Sequence, residues 1–306
     1  MIDSTRLLMI SAMYENGGNT THRFLDGHPE LFVYPFESQL GTRYVVDHLS
    51  SLFPIKYRWP ELLTSLSPEA KYHAIIDEEA KVRSKTPHVS KFRHAGFDLS
   101  DQERAEAFCR HLGDHADRGS AVMAFFRATF DAWKNYRRTG TESVYVGYSP
   151  VVVVDGRKIL DDLPNAHILH IVRNPWAAYA DTKKRPMPLS LDTYTLCWNL
   201  NQYFAELYQR MDPARVHILR AEDVMADPRG TLGALCEQLS LTIPDSLGYT
   251  SYNGERLEQV YPWGTIRTPT PEANLATAKE LSTAEQAAIR LRCGQYIETF
   301  GYADFL

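Results

Sequence analysis

The sequence predicts an α/β fold, a central parallel sheet flanked by helices and carrying a helical insertion. Three observations predict it. The run RLLMISAM at 6–13 reads as a fully buried strand that enters a glycine-rich loop and then a helix. The run HILHIV, His167 to Val172, passes directly into Arg173-Asn174-Pro175 and another helix. VHILR, Val216 to Arg220, ends at Ala221-Glu222-Asp223 and is again followed by a helical pattern. Strands that alternate with helices in this way pair in parallel, because the helix is the crossover that returns the chain to the same edge.

The elements follow in order. After the first strand, Tyr14 to Asn19 is the loop, and a short helix carries Phe24 and Leu25. Leu31 to Phe36 is β-prone and ends in the polar Glu37-Ser38-Gln39. From about 43 to 140 the pattern is helical, with starts at Ser67-Pro68-Glu69 and at Ser100-Asp101-Gln102-Glu103. Phe125, Phe126, Phe130 and Trp133 recur at helical spacing and read as a core-facing stripe. Val151 to Val154 is a further strand candidate. Asp227-Pro228 supplies a cap and first-turn proline to a helix whose inner face is Leu232, Leu235, Cys236 and Leu239. The stretch 245–275 is loop-like, and Ser282-Thr283-Ala284-Glu285 opens the last helix as a capping box. No linker divides the chain, so a single domain over 1–306 is expected.

Composition narrows the function. The 306 residues hold 33 Lys+Arg against 38 Asp+Glu, a formal charge of −5, which is the wrong sign for general nucleic-acid binding. Any anionic ligand must therefore be held by a local arrangement. At this length roughly three quarters of the unfolded surface is buried on folding, so no metal or disulfide staple is needed. Cys109, Cys197, Cys236 and Cys293 are far apart and form no C-x-x-C pair, so neither a metal cluster nor a disulfide framework is expected. The apolar run Leu7 to Met13 is too short for a signal segment or membrane span, and a cytoplasmic protein is expected.

Two segments carry chemistry. In Glu15-Asn16-Gly17-Gly18-Asn19-Thr20-Thr21, paired glycines, a helix N-terminus and two hydroxyls form an anion cradle, where the helix dipole already favours negative charge. It is not a Walker A loop, since no Lys precedes the hydroxyl residues. Arg173, closing an apolar strand, lies on the carboxyl edge of the sheet where open α/β folds bind ligands, and arginine pairs bidentately with phosphate. The nearby Lys183, Lys184 and Arg185 read either as a solvated face or as further cations for the same anion.

Three stretches, HILHIVRNPWAAYADTKKR, VHILRAEDVMADPRGTLGALCEQLSL and LSTAEQAAIRLRCGQYIETFGY, resemble the second half of sulfotransferases that use 3′-phosphoadenosine 5′-phosphosulfate (PAPS). The opening strand, the Gly/Thr loop and LDGHPELFVYPFES resemble that family's phosphosulfate loop and the segment after it. The resemblance covers roughly residues 6–40 and 144–304. It implies a P-loop-like sheet, with the insertion at 43–140 shaping the acceptor site, and PAPS as co-substrate without a metal. The acceptor it implies is a hydroxyl or amine of a small molecule or glycan. By the same resemblance Arg173 binds the nucleotide's 3′-phosphate, and Asn16, Gly17, Gly18, Asn19, Thr20 and Thr21 surround the phosphosulfate. Glu37, nine residues past His28, corresponds to a glutamate that serves as base in glycan- and tyrosyl-sulfating relatives. His28 itself reads as structural. Arg267, in Tyr261 to Arg267, falls where relatives have a segment that closes over the nucleotide, and Trp263 there reads as a stacking or packed residue.

Two departures stand out. The family's loop carries a Lys or Arg. Counting back without gaps from Leu25-Asp26-Gly27-His28-Pro29 puts Glu15 in that position with Gly17 on the family's glycine, whereas aligning Thr20-Thr21 with the family's Thr pair puts Gly17 there instead. Neither register supplies a cation. His22 or Arg23 from the helix, or a basic residue from elsewhere in the fold, is the expected substitute. Eight residues beyond Arg173 the family has a serine that also holds the 3′-phosphate, whereas this chain has Asp181 followed by Thr182. Either Thr182 takes that role or the donor is bound differently. A different phosphorylated donor, or nucleotide binding without turnover, are the alternatives these departures leave open.

Overall fold

In the computed structural model, which describes residues 6–82, 85–86, 96–257 and 270–306, strand β1 (Arg6–Ser11) occupies the centre of a five-stranded parallel sheet. Helix α1 (Gly18–Asp26) follows it, and β2 (Leu31–Val33) is the first edge. Helices α2 (Pro68–Ala74), α3 (Glu78–Lys81), α4 (Asp101–Leu112) and α5 (Arg118–Ala132) form the segment expected to be helical. Then come β3 (Val144–Tyr148), α6 (Gly156–Asp162), β4 (Ala166–Val172), α7 (Pro175–Thr182), α8 (Leu191–Met211) and β5 (Val216–Arg220). Helices α9 (Ala221–Ala226) and α10 (Pro228–Gln238), the hairpin of β6 (Ser251–Tyr252) and β7 (Glu255–Arg256), and helices α11 (Pro271–Ala278) and α12 (Thr283–Thr299) complete the order. The sheet runs β2-β3-β1-β4-β5.

Side chains alternate across a strand, so β1 packs two cores. Leu7 and Met9 join the core that holds Phe125, Phe126 and Phe130 of α5, whereas Leu8 and Ile10 join Phe24 and Leu25 of α1 and Leu232 and Leu235 of α10. A third core lies beyond the carboxyl edge, where Met13 and Val172 meet Trp176 of α7 and Trp198 of α8. The predicted caps form: Ser67, Ser100 and Asp227 each accept a first-turn amide, and Ser282 and Glu285 make the reciprocal box.

Val151 to Val154 is not a strand. Val152–Asp155 is a short 3-10 turn whose Val153 N–H donates to Ser11 Oγ. The place beside β1 is taken by Val144–Tyr148, in register from Arg6 with Val144 to Ile10 with Tyr148. Both runs contain valine and are buried. The difference is punctuation, since Pro150 and Asp155-Gly156 close the valine run into a turn. Within 245–275, the described residues hold the β6–β7 hairpin, and α11 begins at Pro271.

Buried ion pairs fasten the 43–140 segment to the sheet. Arg58 donates from Nε and Nη2 to Asp155 at 2.6 and 2.9 Å and from Nη2 to Asp47 at 2.8 Å. Arg104, fully buried, donates to Asp77 Oδ2 at 2.7 Å and to Tyr72 Oη at 2.7 Å, and Tyr34 Oη donates to Asp77 Oδ1 at 2.9 Å.

Four histidines, the buried His22, His170 and His217 and the half-buried His167, are kept neutral. Burial holds His22 and His217 below the usual imidazole range and takes His167 and His170 down to about 4. Unfolding releases each to titrate near 6.5, so the unfolded chain gains protons first as pH falls. The stability these groups contribute is complete above 6.5 and declines between there and about pH 4, by about 3 kcal/mol for His170 alone. Urea titrations between pH 7.5 and 4.5 are expected to show this slope, and His170→Gln is expected to flatten it. Parallel slopes in the two proteins would refute the assignment.

Among the described residues no helix is long and apolar enough to cross a membrane.

Candidate active site

The order β2-β3-β1-β4-β5 makes β1 the point where successive crossovers leave in opposite directions, and such a point opens a crevice at the carboxyl ends of the strands. A cavity of about 620 Å³ lies there. Its floor is the turn from β1 into α1. Glu15 and Gly17 both take left-handed backbone, with φ of 60° and 86°. Gly18 opens α1 where a Cβ would come within 2.5 Å of Ala12 Cβ and of the Tyr148 ring, so only glycine lets the helix start this close to the sheet. Gly17, Gly18, Asn19 and Thr20 line the cavity at the positive end of α1.

Opposite the floor, Arg173 leaves β4 with its side chain fully engaged. Nη1 donates to Glu15 O and to Asp181 Oδ2, both at 2.9 Å, and Nε and Nη2 donate to Asn274 Oδ1 at 3.0 and 2.8 Å. Asn274, on α11, in turn donates to Glu222 Oε1 at 3.1 Å, and Glu222 also accepts from Asn174 and from the Tyr302 hydroxyl. Asp181 accepts from Lys184 Nζ at 3.1 Å as well.

Glu37 enters the wall just after β2, where it accepts the Tyr57 hydroxyl at 2.8 Å. Tyr57 lies edge-on to Tyr14, with centroids 6.3 Å apart. Burial, with Glu37 adding to it, holds the Tyr57 phenol above its usual range, so it is a donor to the carboxylate. Arg185, beyond the end of α7, lies with Cζ 4.4 Å from the Tyr14 ring centroid and Nη1 3.9 Å from Glu15 Oε1. Burial raises the Glu15 carboxyl above its ordinary value, and Arg185 and Arg173 oppose that rise.

The structure thus brings Gly17, Gly18, Asn19, Thr20, Glu37, Arg173 and Asp181 to one cavity and leaves others out. Asn16 is buried beneath the loop, where its Oδ1 accepts from the Arg173 amide and from Trp198 Nε1. Thr21 and Thr182 are buried, each hydroxyl spent on a carbonyl one helical turn back, Gly17 O and Ala178 O. Thr182 therefore does not stand in for Asp181. His22 and Arg23 do not substitute for the loop cation. Both are fully buried; Arg23 donates to His22 Nδ1 and Tyr34 O, and burial and the adjacent guanidinium keep the imidazole uncharged. Helical periodicity explains this, since the residues after Thr20 turn from the helix mouth to the core. The stretch 43–140 lines none of the cavity among the described residues; its Tyr57 stands behind Glu37. Trp263 and Arg267 lie outside the described residues.

Sequence reasoning missed Tyr14, Tyr148 and Asn274 as wall residues and left Arg185 inside a basic run. Pro186, directly after Arg185, is the local signal that the chain has left α7 by this point, so that Arg185 does not ride a solvated helix face.

Comparison with known proteins agrees with this geometry. Two solved structures share the fold. The sulfotransferase domain from the Synechococcus PCC 7002 olefin synthase superposes with a TM-score of 0.57 at 18% identity, covering 97% of this chain and 94% of that one. The sulfotransferase domain from the curacin biosynthetic pathway gives 0.50 at 14% identity, covering 94% and 96%. No curated protein matches by sequence. A model of the sulfotransferase family matches residues 17–245, about three quarters of the length, and starts on the loop glycine at the cavity floor: the chain belongs to the sulfotransferase family.

Proposed function

We propose that this chain transfers a sulfuryl group from PAPS to a hydroxyl or amine of a small molecule or glycan. The observation that carries the reading is the meeting, in one cavity at the topological switch point, of the Gly17–Thr20 amide cradle, the Arg173 guanidinium and the Glu37 carboxylate. The cradle suits the donor in a further respect: with no room for a Cβ at Gly18 and left-handed backbone at Gly17, its amides are fixed before a ligand arrives. Bound PAPS would supply the sulfuryl group and a nucleotide leaving group.

The chain's residues then divide the work. The loop amides and Thr20 hold the phosphosulfate oxygens against the positive end of α1. Arg173 holds the 3′-phosphate, and Asp181 occupies the guanidinium when that phosphate is absent. Asn274 fixes the plane of the guanidinium. Glu37 takes the acceptor's proton, oriented by the Tyr57 hydroxyl that donates to its Oε2. Held in place beforehand, these groups reduce the barrier by positioning and by charge stabilisation.

Isothermal titration with adenosine 3′,5′-bisphosphate tests the donor. The chain is expected to bind it at micromolar levels, Arg173→Ala to weaken it at least tenfold, and Asp181→Ser to tighten it by removing a competing carboxylate. Absence of binding by the unaltered protein would overturn the donor assignment. The carboxylates of Glu15 and Asp181 on the cavity wall favour one second reading, a phosphorylated donor other than PAPS. A thermal-shift panel of nucleotides separates the two, because a ligand that binds only the folded state raises the melting temperature.

A further inference from the structure

Neither Glu15 nor Gly17, the two residues that align with the family's loop cation, is basic, so the loop offers none to the reacting end of the donor. The described walls of the cavity hold two guanidinium groups. Arg173 is already committed to Asp181, Asn274 and the Glu15 carbonyl. Arg185 is not. Among the described residues its side chain donates no hydrogen bond: it lies over the Tyr14 ring at 4.4 Å and stands 3.9 Å from Glu15 Oε1, close enough to attract but outside hydrogen-bond range. Its side chain is 38% exposed, so its donors remain accessible from the cavity. Burial keeps the Tyr14 phenol protonated, which makes the ring a neutral π-face for the cation. Tyr14, Glu15, Glu37 and the loop glycines line the same cavity.

We propose that Arg185 is the displaced loop cation: a catalytic side chain delivered from the end of α7 to the 5′-phosphate end of the site and held there by Tyr14 and Glu15. The proposal rests on the sulfuryl-transfer reading above. In that reaction the acceptor oxygen or nitrogen forms a bond to sulfur as the bond from sulfur to the 5′-phosphate oxygen breaks. The acceptor's proton goes to Glu37, the electron pair of the broken bond stays on the phosphate oxygen, and Arg185 faces that new charge. A planar guanidinium suits this position, since it can meet two phosphate oxygens at once.

The experiment compares adenosine 3′,5′-bisphosphate with adenosine 3′-monophosphate by calorimetry, because only the first carries the group Arg185 would hold. The unaltered protein is expected to bind the bisphosphate at least tenfold more tightly. In Arg185→Ala, and in Arg185→Gln, which keeps a polar side chain and loses the charge, that preference is expected to fall at least threefold, the α1 amides retaining the rest, while monophosphate binding is unchanged. Adding Glu15→Lys to Arg185→Ala returns a cation to the loop and is expected to restore the preference. A preference unchanged in both Arg185 variants, or absent from the unaltered protein, overturns the proposal and leaves the donor assignment standing. If the unaltered protein binds neither nucleotide, the donor assignment falls and takes this one with it.

Discussion

Replacing Glu37 by Gln is expected to cut sulfuryl transfer from PAPS by about 10²- to 10⁴-fold while changing the affinity for adenosine bisphosphate less than twofold. The size follows from the role. Gln keeps the volume and can still accept the Tyr57 hydroxyl, which donates at 2.8 Å, so the wall is undisturbed and only the capacity to take a proton is lost. The nucleotide's phosphates are assigned to the α1 mouth and Arg173, so their binding does not depend on this carboxylate. Tyr57→Phe, which removes the orienting donor and leaves the base, is expected to cost about tenfold. The measurement is release of adenosine bisphosphate from PAPS in the presence of 4-nitrophenol, tyramine or glucosamine. Full turnover in Glu37→Gln would mean that another group takes the proton, and a parallel loss of nucleotide binding would make Glu37 structural.

The largest expected effect on stability is at Asp77. Arg104 has no exposed surface, and Asp77 Oδ2 is its 2.7 Å ion-pair partner, with Tyr34 donating to the other oxygen. Asp77→Asn keeps the shape and tolerates the left-handed backbone at φ 33°, so it isolates the charge. Removing the fully buried partner leaves Arg104 only the part-exposed Asp101 at 3.2 Å, and the expected loss is about 3 kcal/mol, a large share of what holds a domain folded. Adding Arg104→Met removes the stranded charge and is expected to recover much of the loss. The exposed pair Arg157–Asp161, at a similar 2.7 Å, is the contrast: Asp161→Asn is expected to cost under about 1 kcal/mol. Denaturant midpoints of the three variants check the comparison, and equal losses at Asp77 and Asp161 would show that burial does not decide the outcome.

Much of the scaffold was legible because its signals are local. A strand that stops at a glycine loop, and one that stops at Arg173-Asn174-Pro175, announce themselves within a dozen residues, as do the caps at Ser67, Ser100, Asp227 and Ser282. The valine run misled because valine favours strands wherever it recurs, while Pro150 and Asp155-Gly156 turn VVVV and leave VYVGY to pair beside β1. The cavity was legible where it uses backbone, at Gly17 and Gly18. It was less so where direction matters, since nothing within the loop states that Asn16 points down to Trp198 and the Arg173 amide while Glu15 faces the cavity. Arg185 and Asn274 reach the site through the packing of α7 against α11, a contact between segments about a hundred residues apart.

That last contact sets an order of assembly. Arg173, on the wall of the cavity, donates to Asn274 of α11, 101 positions later in the chain. During synthesis the sheet can pair as soon as β5 has emerged, but the guanidinium must wait for α11 before its plane is fixed. A nascent chain stalled before residue 270 would therefore present a paired sheet with an unfinished cavity wall and a third core still short of Leu281, Ile289, Cys293 and Tyr296.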